Sequence, residues 1–140
     1  MHKFKETVFR KIVTELLDND PFSMNMGIKI IDANEGYCKC SLKVKSDMLN
    51  GFGITHGGVI FSLADTTLAF TAATFGNKAL VLEHSISFLR KSNAGSIITA
   101  EGTCLHIGKK TGTIRVDTYD SNQVLIATSK GTIFKTGQIN

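Results

Sequence analysis

One carboxylate stands alone in the most apolar stretch of this chain. Between His56 and Lys78 the sequence runs HGGVIFSLADTTLAFTAATFGN, and Asp65 is the only acidic or basic side chain inside it. Apolar groups at Ile60, Phe61, Ala64, Leu68, Ala72 and Phe75 follow steps of three and four, the spacing of a helix with a buried face. At that pitch Asp65 has Phe61, Ser62, Leu68 and Ala69 as neighbours. A carboxylate among small and apolar groups is costly unless it is paired, or unless its altered acidity is put to use. The chemistry open to it is proton abstraction or nucleophilic attack.

The segment that enters this helix, Asn50-Gly51-Phe52-Gly53-Ile54-Thr55-His56-Gly57-Gly58, is rich in glycine. Its last amides become unpaired donors at a helix N-terminus, where the dipole favours an anion or a developing oxyanion. Gly57 and Gly58 carry no side-chain bulk, so a substrate carbonyl could approach their backbone. Taken alone, a glycine-rich loop of this kind reads first as a flexible turn before a helix. His56 fits three roles: general acid, oxyanion donor, or a loop histidine bonded to backbone. His84 and His106 read as partly exposed structural residues. Arg90-Lys91 and Lys109-Lys110 each border a turn, as solvated charges or as holders of a phosphorylated ligand. No third glycine completes a dinucleotide loop, and no Gly-Lys-Ser/Thr follows for a Walker loop.

The elements that must position these groups are legible. Residues 3–18 read as an amphipathic helix, with Phe4, Val8, Ile12 and Leu16 at intervals of four, stopped by Asn19-Asp20-Pro21. Period two follows: Cys38, Cys40, Leu42 and Val44 alternate with polar residues, and Glu35-Gly36 sits where a hairpin turn belongs. After a loop at 46–55 comes the long helix. Strands are expected at 80–89, 96–105, 113–119 and 124–134, separated by turn residues. Consecutive strands argue for an antiparallel sheet, here α+β, with about six strands wrapped around one long helix. No repeat or linker divides residues 1–140, so one domain is expected.

Composition narrows the function classes. At 42% hydrophobic and 20% charged the chain is ordinary for a globular domain, and a net charge of +4 with no tryptophan gives little support to nucleic-acid binding. Threonines, a serine and an acid inside the apolar run argue against a membrane span. Three cysteines cannot all pair, and Cys38 and Cys40 share one strand face, which is poor bridging geometry. Cys-x-Cys without a second ligand pair is no zinc site, so no metal is expected. A reduced, cytoplasmic protein is the natural reading.

Asn50-Gly51, His56-Gly57-Gly58 and Phe61-Ser62-Leu63-Ala64-Asp65 together resemble the signature of the PaaI-type hotdog-fold acyl-CoA thioesterases. Ile86-Ser87-Phe88-Leu89-Arg90 is similar to that family's strand after the helix, and Gly108-Lys109-Lys110-Thr111-Gly112 to its nucleotide-facing turn. The resemblance spans roughly residues 20–135. It implies hydrolysis of acyl-CoA thioesters, arylacetyl such as phenylacetyl or medium and long chain, to free acid and CoA. No cofactor is implied, because CoA is part of the substrate.

By the same resemblance Asp65 holds the place of the nucleophile or general base, and the Gly57 amide that of the oxyanion donor. Asn50 would orient the thioester or the attacking water, and His56 would support the loop. Gly58, Val81, Arg90, Lys91, Gly108, Lys109, Lys110 and Thr111 would contact substrate or CoA. Val81 occupies a position where some relatives carry a serine or threonine, so Ser85 or Thr66 is the alternative helper for the water. The family's site lies between subunits, which implies a homodimer with shared sites, assembling into a homotetramer. Asp65 would then lack a partner in its own chain and find its environment on dimerisation. The competing readings are a non-catalytic acyl-CoA sensor and a hotdog dehydratase. The sensor has no need of a buried acid, and the dehydratase pattern has proline-rich loops where this chain has only Pro21.

Overall fold

The computed structural model of this chain describes residues 7–139. The elements run α1 (Val8–Asp18), α2 (Pro21–Met26), β1 (Lys29–Asn34), β2 (Tyr37–Lys43), a 3-10 turn (Ser46–Met48), α3 (Gly57–Ala73), β3 (Asn77–Phe88), β4 (Ile97–Ile107), β5 (Thr111–Tyr119) and β6 (Leu125–Gln138). The strands pair antiparallel in the order β1-β2-β4-β5-β6-β3. The long helix α3 packs against β2, β3, β4, β5 and β6, which is the hotdog arrangement. Among the described residues no helix is long and apolar enough to cross a membrane.

Period-two alternation builds the hairpin: Cys38, Cys40, Leu42 and Val44 are buried, and Gly36 supplies the positive φ of 71° that the turn needs. The Cys38 and Cys40 sulfurs lie 3.8 Å apart and unbridged. The helix α3 comes close to the sheet where strands lack side chains. A Cβ on Gly102 would collide with Thr71 Oγ1, and one on Gly131 would lie 2.7 Å from Leu68 Cδ1.

Several elements differ from expectation. The first helix begins at Val8 behind a Thr7 cap, and the expected turn from residue 3 lies partly outside the described residues. The helix α1 does stop at Asp18, with Asn19 as its cap, but the same segment also starts a second helix: Asp20 accepts from the Ser23 amide and Pro21 takes the first position of α2, where a missing N–H costs no bond. Thr111 and Gly112 open β5 instead of completing a turn. On α3, Phe61 and Phe75 are only half-buried, while Leu63, Thr67 and Thr71 are fully enclosed. The threonines are tolerated there because their hydroxyls donate to the carbonyls of Leu63 and Thr67 at 2.7 Å each.

The two sheet edges are treated differently. Along β1, Arg10 of α1 donates from Nη1 to the Ile31 carbonyl at 2.8 Å. The outer edge of β3 has no such cover among the described residues, and Leu80 and Leu82 on it are about 60% exposed (63% and 60%). An open apolar edge of this length invites pairing with another chain.

Candidate active site

The loop before α3 is held from both sides. Asn50 Oδ1 accepts from the amides of Phe52 (2.9 Å) and Ile54 (3.3 Å), and Gly53 adopts φ 75° to let the loop close. Two amide donors fix the oxygen toward the loop, so the amino group of Asn50 is its remaining polar end. Thr55 anchors the next segment: it is buried and bonded to Ser92, amide to carbonyl at 2.9 Å and hydroxyl to hydroxyl at 2.7 Å. The sequence carried no sign of this Thr55–Ser92 lock.

His56 caps the helix. Its Nδ1 accepts from the Gly58 amide at 2.8 Å, so Nε2 carries the ring proton. Gly58 is therefore committed at its amide, and its carbonyl accepts from Ser62 Oγ at 2.7 Å. The Gly57 amide makes no hydrogen bond among the described residues. A Cβ on Gly57 would press the Phe88 ring at 3.2 Å, a contact that needs the ring to give by a few tenths of an ångström.

Gly57 opens onto a cleft of about 410 Å³ that Asn50, Ile54, Ile60, Phe88, Arg90 and Lys91 also line. Arg90 is tied by Nη1 to the Leu125 carbonyl at 2.8 Å, while Lys91 is exposed. A free helix N-terminal amide and two cations thus share one cavity, a combination suited to an anionic ligand.

Asp65 lies elsewhere. Eight residues along α3 from Gly57 correspond to roughly 12 Å of rise and about 80° of rotation. Its side chain is 41% exposed, and Oδ1 is 2.9 Å from Nδ1 of His84, whose side chain is 2% exposed. This corrects two expectations: Asp65 does have a partner in its own chain, and His84 is not a partly exposed bystander. The cause is a β-bulge between Val81 and Glu83. One extra residue switches the alternation, so Ala79 and Val81 are followed inward by His84 and Ile86. Neither residue expected to help the water hydrogen-bonds Asp65 among the described residues. Thr66 Oγ1 lies 3.1 Å from Ser23 Oγ, and Ser85 is exposed beside Arg115 and Lys130 on the side of β3 opposite His84.

The remaining candidates are scattered within one chain. Val81 packs half-buried against the core. Gly108-Lys109-Lys110-Thr111 sits at the β4–β5 end of the sheet, where the Lys110 carbonyl accepts from Lys135. Arg90 and Lys91 lie at the opposite end, about 26 Å away along the length of β5. Leu68 is fully buried in the core, Phe52 is 92% exposed, and Phe88 lines the cleft.

The family model described as the thioesterase superfamily matches residues 52–127. Over 122 residues the chain is 34% identical to the acyl-coenzyme A thioesterase PaaI of Escherichia coli, covering 87% of each protein. The solved structure of E. coli PaaI superposes with a TM-score of 0.91 at 32% identity, over 94% of this chain and 96% of that one. A hypothetical thioesterase protein of Streptococcus pneumoniae, solved with coenzyme A, superposes with a TM-score of 0.84 at 26% identity, over 91% and 99%.

Proposed function

Because the chain belongs to the thioesterase superfamily and is an acyl-CoA thioester hydrolase, we propose that Asp65 and the Gly57 amide catalyse the reaction from two different subunits. The observation that carries this is the uncommitted Gly57 amide at the start of an apolar helix, opening into a cleft shared with Asn50, Arg90 and Lys91. A tetrahedral oxyanion needs such a donor, and removing one costs on the order of a hundredfold or more in rate. Asp65, roughly 12 Å along the same helix, is too far from that amide to act on the same carbonyl. A second chain supplies the missing half, and the open edge of β3 with Leu80 and Leu82 supports a homodimer through that strand. Pairs of dimers then form the homotetramer.

In the general-base route Asp65 takes a proton from water as the water oxygen bonds to the thioester carbon. The carbonyl oxygen becomes the oxyanion held by Gly57, the C–S bond breaks, and the CoA thiolate leaves with the proton from Asp65. In the covalent route an Asp65 oxygen bonds to the thioester carbon, the C–S bond breaks as the CoA thiolate leaves, and water then cleaves the resulting anhydride to the free acid and the Asp65 carboxylate. Both routes require the same placement of Asp65. Arg90 and Lys91, with the Gly108-Lys109-Lys110-Thr111 turn of a second subunit, hold the phosphates of CoA. No cofactor takes part. Likeness to the E. coli PaaI protein from the phenylacetic acid degradation operon supports arylacetyl thioesters as substrates, with fatty acyl chains as the other class. Three unbridged cysteines suit a reduced, cytoplasmic setting.

The test is thiol release from phenylacetyl-, benzoyl-, hexanoyl- and palmitoyl-CoA. Turnover of at least one supports the hydrolase and identifies its acyl class. Tight binding of the panel without thiol release overturns it in favour of a sensor.

A further inference from the structure

The bulge in β3 turns His84 inward against α3, with its ring centroid 4.9 Å from that of Phe61 at an interplanar angle of 42°. Burial at 2% exposure fixes the ring, and Nδ1 reaches Asp65 Oδ1 at 2.9 Å. Nε2 is buried and has no hydrogen-bond partner among the described residues. A buried N–H without an acceptor costs more than a bare ring lone pair, so the ring proton belongs on Nδ1, donated to the carboxylate. Asp65 makes no other hydrogen bond among the described residues, which leaves Oδ2 uncommitted.

We propose that His84 is the positioning residue for Asp65: its Nδ1–H holds Oδ1, fixes the carboxylate plane, and presents Oδ2 as the oxygen that meets water or the thioester. This rests on the reading of Asp65 as the reacting acid. His84 keeps its proton throughout and touches no substrate. Its contribution is orientation, and a carboxylate on a half-exposed helix face would otherwise rotate freely about its side-chain bonds. A misplacement of about 1 Å at a reacting group can cost on the order of a hundredfold in rate. Bulges recur beside active sites because they re-aim one side chain without rebuilding the strand.

The test compares His84→Met, which fills the site without a donor, with His84→Asn, whose amide nitrogen falls near the Nδ1 position. Wild-type and Asp65→Asn backgrounds are both used, with kcat, KM and thermal midpoint recorded. His84→Met is expected to lower kcat roughly tenfold to a hundredfold while leaving KM nearly unchanged. His84→Asn should recover most of the loss, and neither variant should change the residual rate of Asp65→Asn. Wild-type kcat in His84→Met, or His84→Asn as slow as His84→Met, overturns the proposal while leaving Asp65 as the reacting acid. Full turnover in Asp65→Asn overturns the reading beneath it. Should His84→Met fail to fold, nitrogen-15 spectra of the wild-type imidazole decide: an Nδ1–H tautomer supports the proposal, and an Nε2–H tautomer overturns it.

Discussion

His56 accepts a 2.8 Å hydrogen bond from the Gly58 amide, and in doing so leaves the Gly57 amide as the uncommitted donor at the head of α3. The helix dipole adds positive potential at the same point. Capping and the proposed oxyanion binding would thus fall to adjacent amides, Gly58 bonded to His56 and Gly57 left open.

That division makes Gly57→Pro an informative substitution. Proline removes the N–H and adds a ring, and the first helical position is where proline is best tolerated. His56, at φ −62° and ψ 135°, already has the extended backbone required before proline. The Phe88 ring, about half exposed, can yield to the added atoms. Stability should stay within about 1 kcal/mol of wild type, with kcat down roughly a hundredfold to a thousandfold. Denaturant melts and acyl-CoA kinetics check the two halves, and undiminished kcat in a folded variant would remove Gly57 from the mechanism.

His56 itself should separate by cap chemistry. His56→Ala deletes the acceptor for Gly58 and should cost about 1 kcal/mol, whereas His56→Asn keeps an N-cap oxygen and should cost only a few tenths. A histidine acting as proton donor would give the opposite pattern in kinetics, with both variants equally slow.

Lys91 is exposed, so the proposed contact with a phosphate would be worth only about 0.5–1 kcal/mol, or roughly a two- to fivefold rise in KM on Lys91→Ala. The rise should shrink at high salt and vanish for an acyl-pantetheine thioester, which lacks the nucleotide phosphates. Equal effects on both substrates would show that Lys91 contacts the acyl or pantetheine part.

The three thiols should react unequally. Cys38 and Cys40 are fully buried, and the contact with Cys40 together with burial pushes the Cys38 thiol well above its ordinary range. Cys104 is half-buried, and burial raises its thiol too, so its reaction should quicken as pH rises. A disulfide reagent should titrate one cysteine per native chain and three after unfolding. Two rapid equivalents in the native protein would contradict the packing of β2 against α3.

Much of this was readable in the sequence because it is local. The spacing of Ile60, Ala64, Leu68 and Ala72 marks α3, the alternation from Cys38 to Val44 marks β2, and the turn residues divide β3 to β6. What escaped is set by tertiary geometry. Asp20-Pro21 reads identically as the end of one helix and the start of the next, and the chain uses it as both. His84 lies in a regular-looking strand, and only the β3–β6 register reveals the bulge that turns it toward Asp65. The Thr55–Ser92 lock joins residues 37 apart through two small hydroxyls that no periodicity distinguishes. At the site, the loop and the acid were legible as types of group. Their separation along α3 was legible as helix arithmetic, but the hydrogen bonds that commit Gly58 and spare Gly57 were not.

The most direct measurement co-expresses Asp65→Asn and Gly57→Pro chains under different tags and purifies the mixed assembly. Each variant alone should be nearly inactive. A site built from two subunits leaves one intact site per mixed dimer, with Asp65 from one chain and the Gly57 amide from the other, so activity should return to about half that of wild type. A mixed assembly as inactive as its parents would contradict the shared site and place both groups in the same chain's reaction.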